Sequence, residues 1–169
     1  MQATISQYLA GLATGRHALS PILRAIGDRL SSQTINSAAL RIKGGSASAI
    51  VQTNAASLYA CGGKIVAKAT AQDMPALVGT VVNATFNVFA FFIDSTGTFT
   101  SVMGIAASTL AGVQFPSIPE RSAVVGFVVI NPTGTGNFVG GTTALDDATV
   151  VPNAVFANTL GAFDPTVLV

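Results

Sequence analysis

"NATFNVFAFFIDS", residues Asn83–Ser95, decides what kind of body this chain builds. In an extended chain Phe86, Val88, Ala90 and Phe92 fall on one face, and Phe89, Phe91 and Ile93 on the other. A strand that is apolar on both faces must be covered on both, by two sheets or by a sheet and a partner. "SAVVGFVVIN", residues 122–131, has the same character. Between the two lies "TLAGVQFPSIPERS", where Pro116 and Pro119 predict a long ordered loop in place of a helix.

Working outward, β grammar holds from Ala38 onward. "ALRIKG" and "ASAIVQT" are short strand candidates, and "SLYACGGKIVAKA" reads as a hairpin turned by Gly62-Gly63. "FTSVMGIAA" returns from the turn "DSTGT". The tail "TVVPNAVFANTLGAF" alternates weakly, and Pro152 confines it to an edge or a crossing segment. Eight or nine short strands, with turn signals every ten or so residues, are typical of a β-sandwich or barrel.

The first residues follow different rules. Ser20-Pro21 is a good helix start, and Ile22, Leu23, Ile26 and Leu30 then recur at helical spacing. "SQYLAGLA" upstream could form a shorter helix, weakened by Gly11, and "SSQTINS" reads as a linker. The expected organisation is a helical arm and linker over residues 1–37 and a β body over residues 38–169.

Composition bounds the function. Charged residues make up 9% of the 169 residues against 50% hydrophobic, whereas an ordinary soluble domain carries roughly 25% charged residues. Such a surface suits a subunit whose apolar faces are covered by partners. The longest apolar runs fall far short of the roughly 20 residues of a spanning helix, so no membrane partner is expected. No secretory signal is visible at the N-terminus, and a single cysteine, Cys61, allows neither an internal disulfide nor a Cys-rich zinc site. Charge is unevenly placed. Residues 1–43 carry Arg16, Arg24, Arg29, Arg41 and Lys43 against Asp28, a balance of +4, and the remainder carries −3. These five cations are the candidate partner-binding residues. They are too sparse, and too poor in interleaved aromatics, for direct nucleic-acid binding.

The sequence offers little chemistry. "NPTGTGNFVGGTTALDD", residues 131–147, follows a strand as a dinucleotide loop would, but no helix opens in its glycines and the Gly-Lys-Ser/Thr of a P-loop is missing. Asp146 and Asp147 are adjacent, so a strand would point them to opposite faces, away from a shared metal. The run reads as a turn, a short strand and a second turn. His17, the only histidine, sits in the basic arm, and Asp73, Asp94, Asp146 and Asp147 are expected at turns, outside the apolar settings that tune a catalytic carboxylate. Cys61 reads as a buried structural thiol. No catalytic residue, cofactor or metal is expected.

The stretches "NATFNVFAFFIDSTGTFTSVMG" and "VQFPSIPERSAVVGFVVINPTGTGNFVGGTTALDD" resemble small β-rich virion proteins of tailed bacteriophages, of the head decoration (cement) and head-fibre type. The resemblance spans Ala38 to the C-terminus. It rests on the order of Phe-rich strand, "DSTGT" turn, P-x-I-P loop, "AVVGFVVI" strand and "GTTALDD". It implies a jelly-roll-like β-sandwich on the outer capsid surface of a virion, made in the host cytoplasm. It further implies a homo-oligomer, trimer favoured over dimer, that links neighbouring major capsid subunits against internal DNA pressure. The alternative is a phage fibre or receptor-binding module that recognises a glycan. Against it, the chain has no Trp and only Tyr8 and Tyr59 to offer as aromatic platforms.

Overall fold

The computed structural model describes residues 20–45 and 48–163. Among these, the strands in chain order are β1 Gln33–Thr34, β2 Leu40–Ile42, β3 Val51–Thr53, β4 Ser57–Cys61, β5 Lys64–Lys68 and β6 Thr80–Val81, followed by β7 Asn87–Ile93, β8 Phe99–Met103, β9 Ala123–Ile130, β10 Phe138–Val139 and β11 Val155–Asn158. One α-helix, α1, occupies residues 20–31, and a single 3-10 turn lies at Leu110–Gly112 within the proline loop. The protein is mainly β, with several antiparallel sheets. The strand count exceeds the eight or nine expected because β1 and β6 are two-residue pairings too short to leave a periodic signal.

The central sheet runs β11-β9-β7-β8. Every residue of β7 is buried, as its two apolar faces require. Phe89, Phe91 and Ile93 enter the main core with Val125, Val128 and Ile130 of β9. Val88, Ala90 and Phe92 enter a second cluster on the opposite face with Val124 and Phe127. The division by parity is the one expected of an extended strand.

Different elements cover the two faces. On the main-core side lies the sheet β1-β4-β5, which contributes Tyr59 and Cys61. On the other side the cover is the proline loop, through Val113, Phe115 and Ile118, together with Phe163. The Phe115 ring meets Phe92, Phe127 and Phe163 edge-on, at centroid distances of 6.4, 5.5 and 5.3 Å. Such edge contacts add to the area term of burial. This packing fixes the path of the loop that later meets α1.

Local chemistry sets the turns. Gly62 and Gly63 have φ of 56° and 80°, the left-handed pair that a two-residue hairpin turn needs. Asp94 ends β7, and its carboxylate accepts hydrogen bonds from the Thr96 amide at 2.8 Å and the Thr98 amide at 3.0 Å. A bulge follows Phe91, where Phe91 pairs with Gly126 but Phe92 with Val124, leaving Val125 as the extra residue of β9. Glycine is required at 126 because a Cβ there would lie 2.5 Å from the Ala157 carbonyl oxygen and 2.7 Å from Leu40. β11 lies at the sheet edge, as Pro152 implied.

One segment differs from the sequence reading. The "SSQTINS" segment, read as a linker, contributes β1, which pairs with β4 through Gln33↔Ala60 and Thr34↔Tyr59. Ser32 and Thr34 are buried, and the Thr34 hydroxyl donates to the Val124 carbonyl. A polar, hydroxyl-rich sequence looks like linker, yet buried hydroxyls are stable wherever a carbonyl accepts from them. The segment read as linker thus adds a two-residue strand to the β1-β4-β5 sheet.

Candidate partner-binding site

α1 stands on the body by its last turn. Both oxygens of Asp28 accept the Arg121 amide proton, each at 3.0 Å. Beyond the helix end, the Gly63 amide donates to the Ser31 carbonyl at 3.1 Å and the Gly62 amide to the Ser32 hydroxyl at 3.0 Å. A carboxylate near a helix C-terminus opposes the helix dipole. The ion–amide bond to Arg121, stronger than a neutral one, explains why an acid sits there in an otherwise basic arm. Arg121 itself has φ of 57°, unusual for a side chain of its size, and its aliphatic stem lies over Gly62. Helix, proline loop and β4–β5 turn thus meet at one junction.

Between α1 and the proline loop runs an open cleft of about 400 Å³, lined by Pro21, Arg24, Ala25, Asp28, Arg29, Ile118 and Glu120. Two of the candidate partner-binding cations, Arg24 and Arg29, line it together with two carboxylates. Among the described residues, neither arginine forms an ion pair. The cleft can therefore meet a polar surface of mixed charge, with two guanidinium forks available for carboxylates.

The rest of the candidate set is dispersed. Arg41 and Lys43 lie at the hairpin of β2 and β3, outside the cleft lining. Arg41 donates to the Gln52 side-chain oxygen at 3.2 Å, Gln52 donates to Asp73 at 2.8 Å, and Lys43 forms an ion pair with Asp73. The Lys43 and Gln52 hydrogen bonds hold the Asp73 carboxyl below its usual range. Asp73, expected at a turn, instead forms a β-bridge with Gln52, because this network ties it to the hairpin. Arg16 and His17 lie outside the described residues, as does the "SQYLAGLA" segment.

Large apolar side chains are exposed elsewhere on the surface. On α1, Ile22, Leu23, Ile26 and Leu30 are 55%, 64%, 51% and 68% exposed. On the outer face of the β1-β4-β5 sheet, Ile35, Leu58 and Ile65 are exposed, whereas Ser57, Tyr59 and Cys61 point inward. Lys64 and Lys68 bracket the edge strand β5 and discourage further strand addition. Among the described residues, no helix is long and apolar enough to cross a membrane.

The glycine-rich run of residues 131–147 is a packed connection. Phe138 of β10 is fully buried with its ring 5.9 Å from Phe89, and β10 pairs with β6. A Cβ at Gly134 would lie 1.9 Å from the Thr149 carbonyl oxygen, and one at Gly140 would lie 2.8 Å from the Leu77 backbone. Those glycines serve close backbone approach. Asp147 accepts from the Thr149 amide and hydroxyl at 2.9 and 2.6 Å, and these bonds lower its pKa. Among the described residues, no cluster of three metal-ligating side chains occurs. Cys61 is buried, with its thiol 3.4 Å from the Ile93 carbonyl, and burial raises its pKa away from the reactive thiolate.

Sequence reasoning separated the arm from the proline loop and so missed Ile118, Glu120 and Arg121 as its neighbours. The one available signal was Asp28, the only acid among the first 43 residues. Compared with protein-family models, curated proteins and solved structures, the chain matches none.

Proposed function

We propose that this chain is a virion structural protein of the capsid decoration, or cement, type. It would bind the outer capsid surface and link neighbouring major capsid subunits, stabilising the head against internal DNA pressure. The observation that carries this reading is the arm: a helix held to the body by one turn, with arginines in a cleft and its large apolar side chains in solvent. Low charge over the whole chain and the resemblance of residues 38–169 to small β-rich phage virion proteins support it. In this reading the β body is a jelly-roll-like sandwich, with the β1-β4-β5 sheet as one layer and the four-stranded sheet as the other. The working form is a homo-oligomer, a trimer in preference to a dimer.

Binding energy would come mainly from apolar burial, at roughly 25 cal/mol per Å² before the costs of association. Arg24 and Arg29 would set register and association rate. Arg16, Arg41 and Lys43 complete the proposed contact set, although Lys43 must give up its Asp73 partner to take part.

The test is binding to empty capsids by the full chain and by a variant lacking residues 1–30. The full chain should bind, and the truncated variant should keep its β circular dichroism yet lose capsid affinity. Equal binding by both would refute the role of the arm. Glycan binding without any capsid affinity would instead favour the fibre or receptor-binding module.

A further inference from the structure

The helix α1 is joined to the body at one end only. Among the described residues, the hydrogen bonds that tie it down fall on Asp28 and Ser31, with Ser32 just beyond the helix end. Residues 20–27 are all exposed, and within the helix only Asp28 and Ser31 are partly buried. Ile22, Leu23, Ile26 and Leu30 are each more than half exposed, so no large apolar side chain of α1 is anchored in the body. Downstream the chain is fixed, because β1 pairs with β4 and Thr34 is buried. Ser31 and Ser32 are therefore the hinge.

The terms that hold α1 down are close in size to those that oppose it. In its favour stand the ion–amide bond between Arg121 and Asp28 and two neutral bonds from the Gly62 and Gly63 amides. Against it, a 12-residue helix is marginal on its own, and Gly27 is a poor helix former within it. The Asp28 charge also opposes the helix dipole. Docking further requires Arg121 at φ 57°, the third residue of a turn closed by the Ser122 amide on the Pro119 carbonyl at 3.3 Å. That position suits glycine or asparagine better than arginine.

We propose that α1 is a hinged strap that exchanges between a latched helix and an unlatched, unfolded segment, with the Asp28–Arg121 bond as its catch. Latching and helix formation are one event. Without the catch the segment has too little to keep it helical, and without the helix Asp28 is not carried to the Arg121 amide. Because α1 is one wall of the cleft, the cleft exists only in the latched form. A partner that fills it orders the helix, and its apparent affinity falls with the fraction of chains that are unlatched. That consequence rests on the cleft being the partner site, whereas the strap itself does not.

Limited trypsin digestion of the full chain, without any partner, tests the strap at the Arg24–Ala25 and Arg29–Leu30 bonds, read by mass spectrometry. Cleavage there requires the unlatched form, so its rate follows the unlatched fraction. Asp28→Ala should speed both cleavages about fivefold. Alanine is the better helix former and removes the charge that opposes the dipole, so a helix standing alone would be cut more slowly. Gly27→Ala should slow both cleavages about fivefold. A Cβ at Gly27 meets nothing within 4 Å, yet this variant should also slow hydrogen exchange of the Arg121 amide by a similar factor. Unchanged or slower cleavage of Asp28→Ala overturns the strap, as does an Arg121 amide that ignores Gly27→Ala, or resistance of both bonds in every variant. A chain that passes these tests but ignores capsids keeps the strap and defeats only the proposed function.

Discussion

The strand Asn87–Ile93 and the helix at residues 20–31 are both rich in large apolar side chains, and the fold treats them in opposite ways. All seven residues of the strand are buried, three in the main core shared with the β1-β4-β5 sheet and three in the cluster under the proline loop. On the helix, Ile22, Leu23, Ile26 and Leu30 stay in solvent while Asp28 takes the contact with the body. Apolar content alone therefore does not say what a segment is for. Where the chain covers its own apolar surface, the residues make a core. Where it leaves a stripe uncovered and docks the polar side instead, the residues stay in solvent, and the proposed function assigns them to an intermolecular contact.

If that contrast is right, truncation in the two regions must have different consequences. The largest effect is expected from Phe89→Ala, which removes a fully buried ring from the main core and its edge contact with Phe138. Chemical denaturation should show a loss of about 3–5 kcal/mol. A loss below about 1 kcal/mol, of the size expected for exposed substitutions, would erase the distinction between strand and helix.

A smaller effect sharpens the comparison at the junction. Asp28→Ala removes the acceptor of the Arg121 amide and should cost about 1 kcal/mol, confined to the arm and the proline turn. Hydrogen exchange should show faster exchange of the Arg121 amide with unchanged protection along β7. Deprotection of β7 would mean that helix and core are one cooperative unit.

The smallest effect concerns acid. The Thr96 hydroxyl and then the Thr98 amide hold the Asp94 carboxyl below its ordinary value, so the folded state favours its ionised form. Its contribution is fully present above the unfolded pKa, about 4, and is lost as pH falls through the lower folded value. The carboxylate is half-buried at a surface turn, and solvent screening there limits the contribution to about a few tenths of a kcal/mol. Asp94→Asn should lower stability slightly at neutral pH and flatten its decline below pH 4. A variant with the wild-type acid profile would show that other carboxylates carry that decline.

Much of this was legible because the signals are local. The two-faced strands declared themselves in "NVFAFFI" and "AVVGFVVI", since side chains alternate whatever the rest of the chain does. Gly62-Gly63 announced a hairpin because few other residues accept the left-handed pair. The two-residue strands β1 and β6 were illegible, because pairing that short is imposed by a neighbour and leaves no period. The candidate site was legible in part. Arg24 and Arg29 stood out by charge, but Ile118, Glu120 and Arg121 lie about ninety residues away and carry nothing that points back to the arm.

The sequence by itself determined the β body, its central strands and the helix after Ser20-Pro21, because each follows from periodicity and from the conformational limits of glycine and proline. Only the tertiary structure decided which side of the helix meets the body. A helix with an apolar stripe and a polar side can dock by either. The choice was made by a long-range bond between Asp28 and the Arg121 amide, held in place by the aromatic packing of the proline loop.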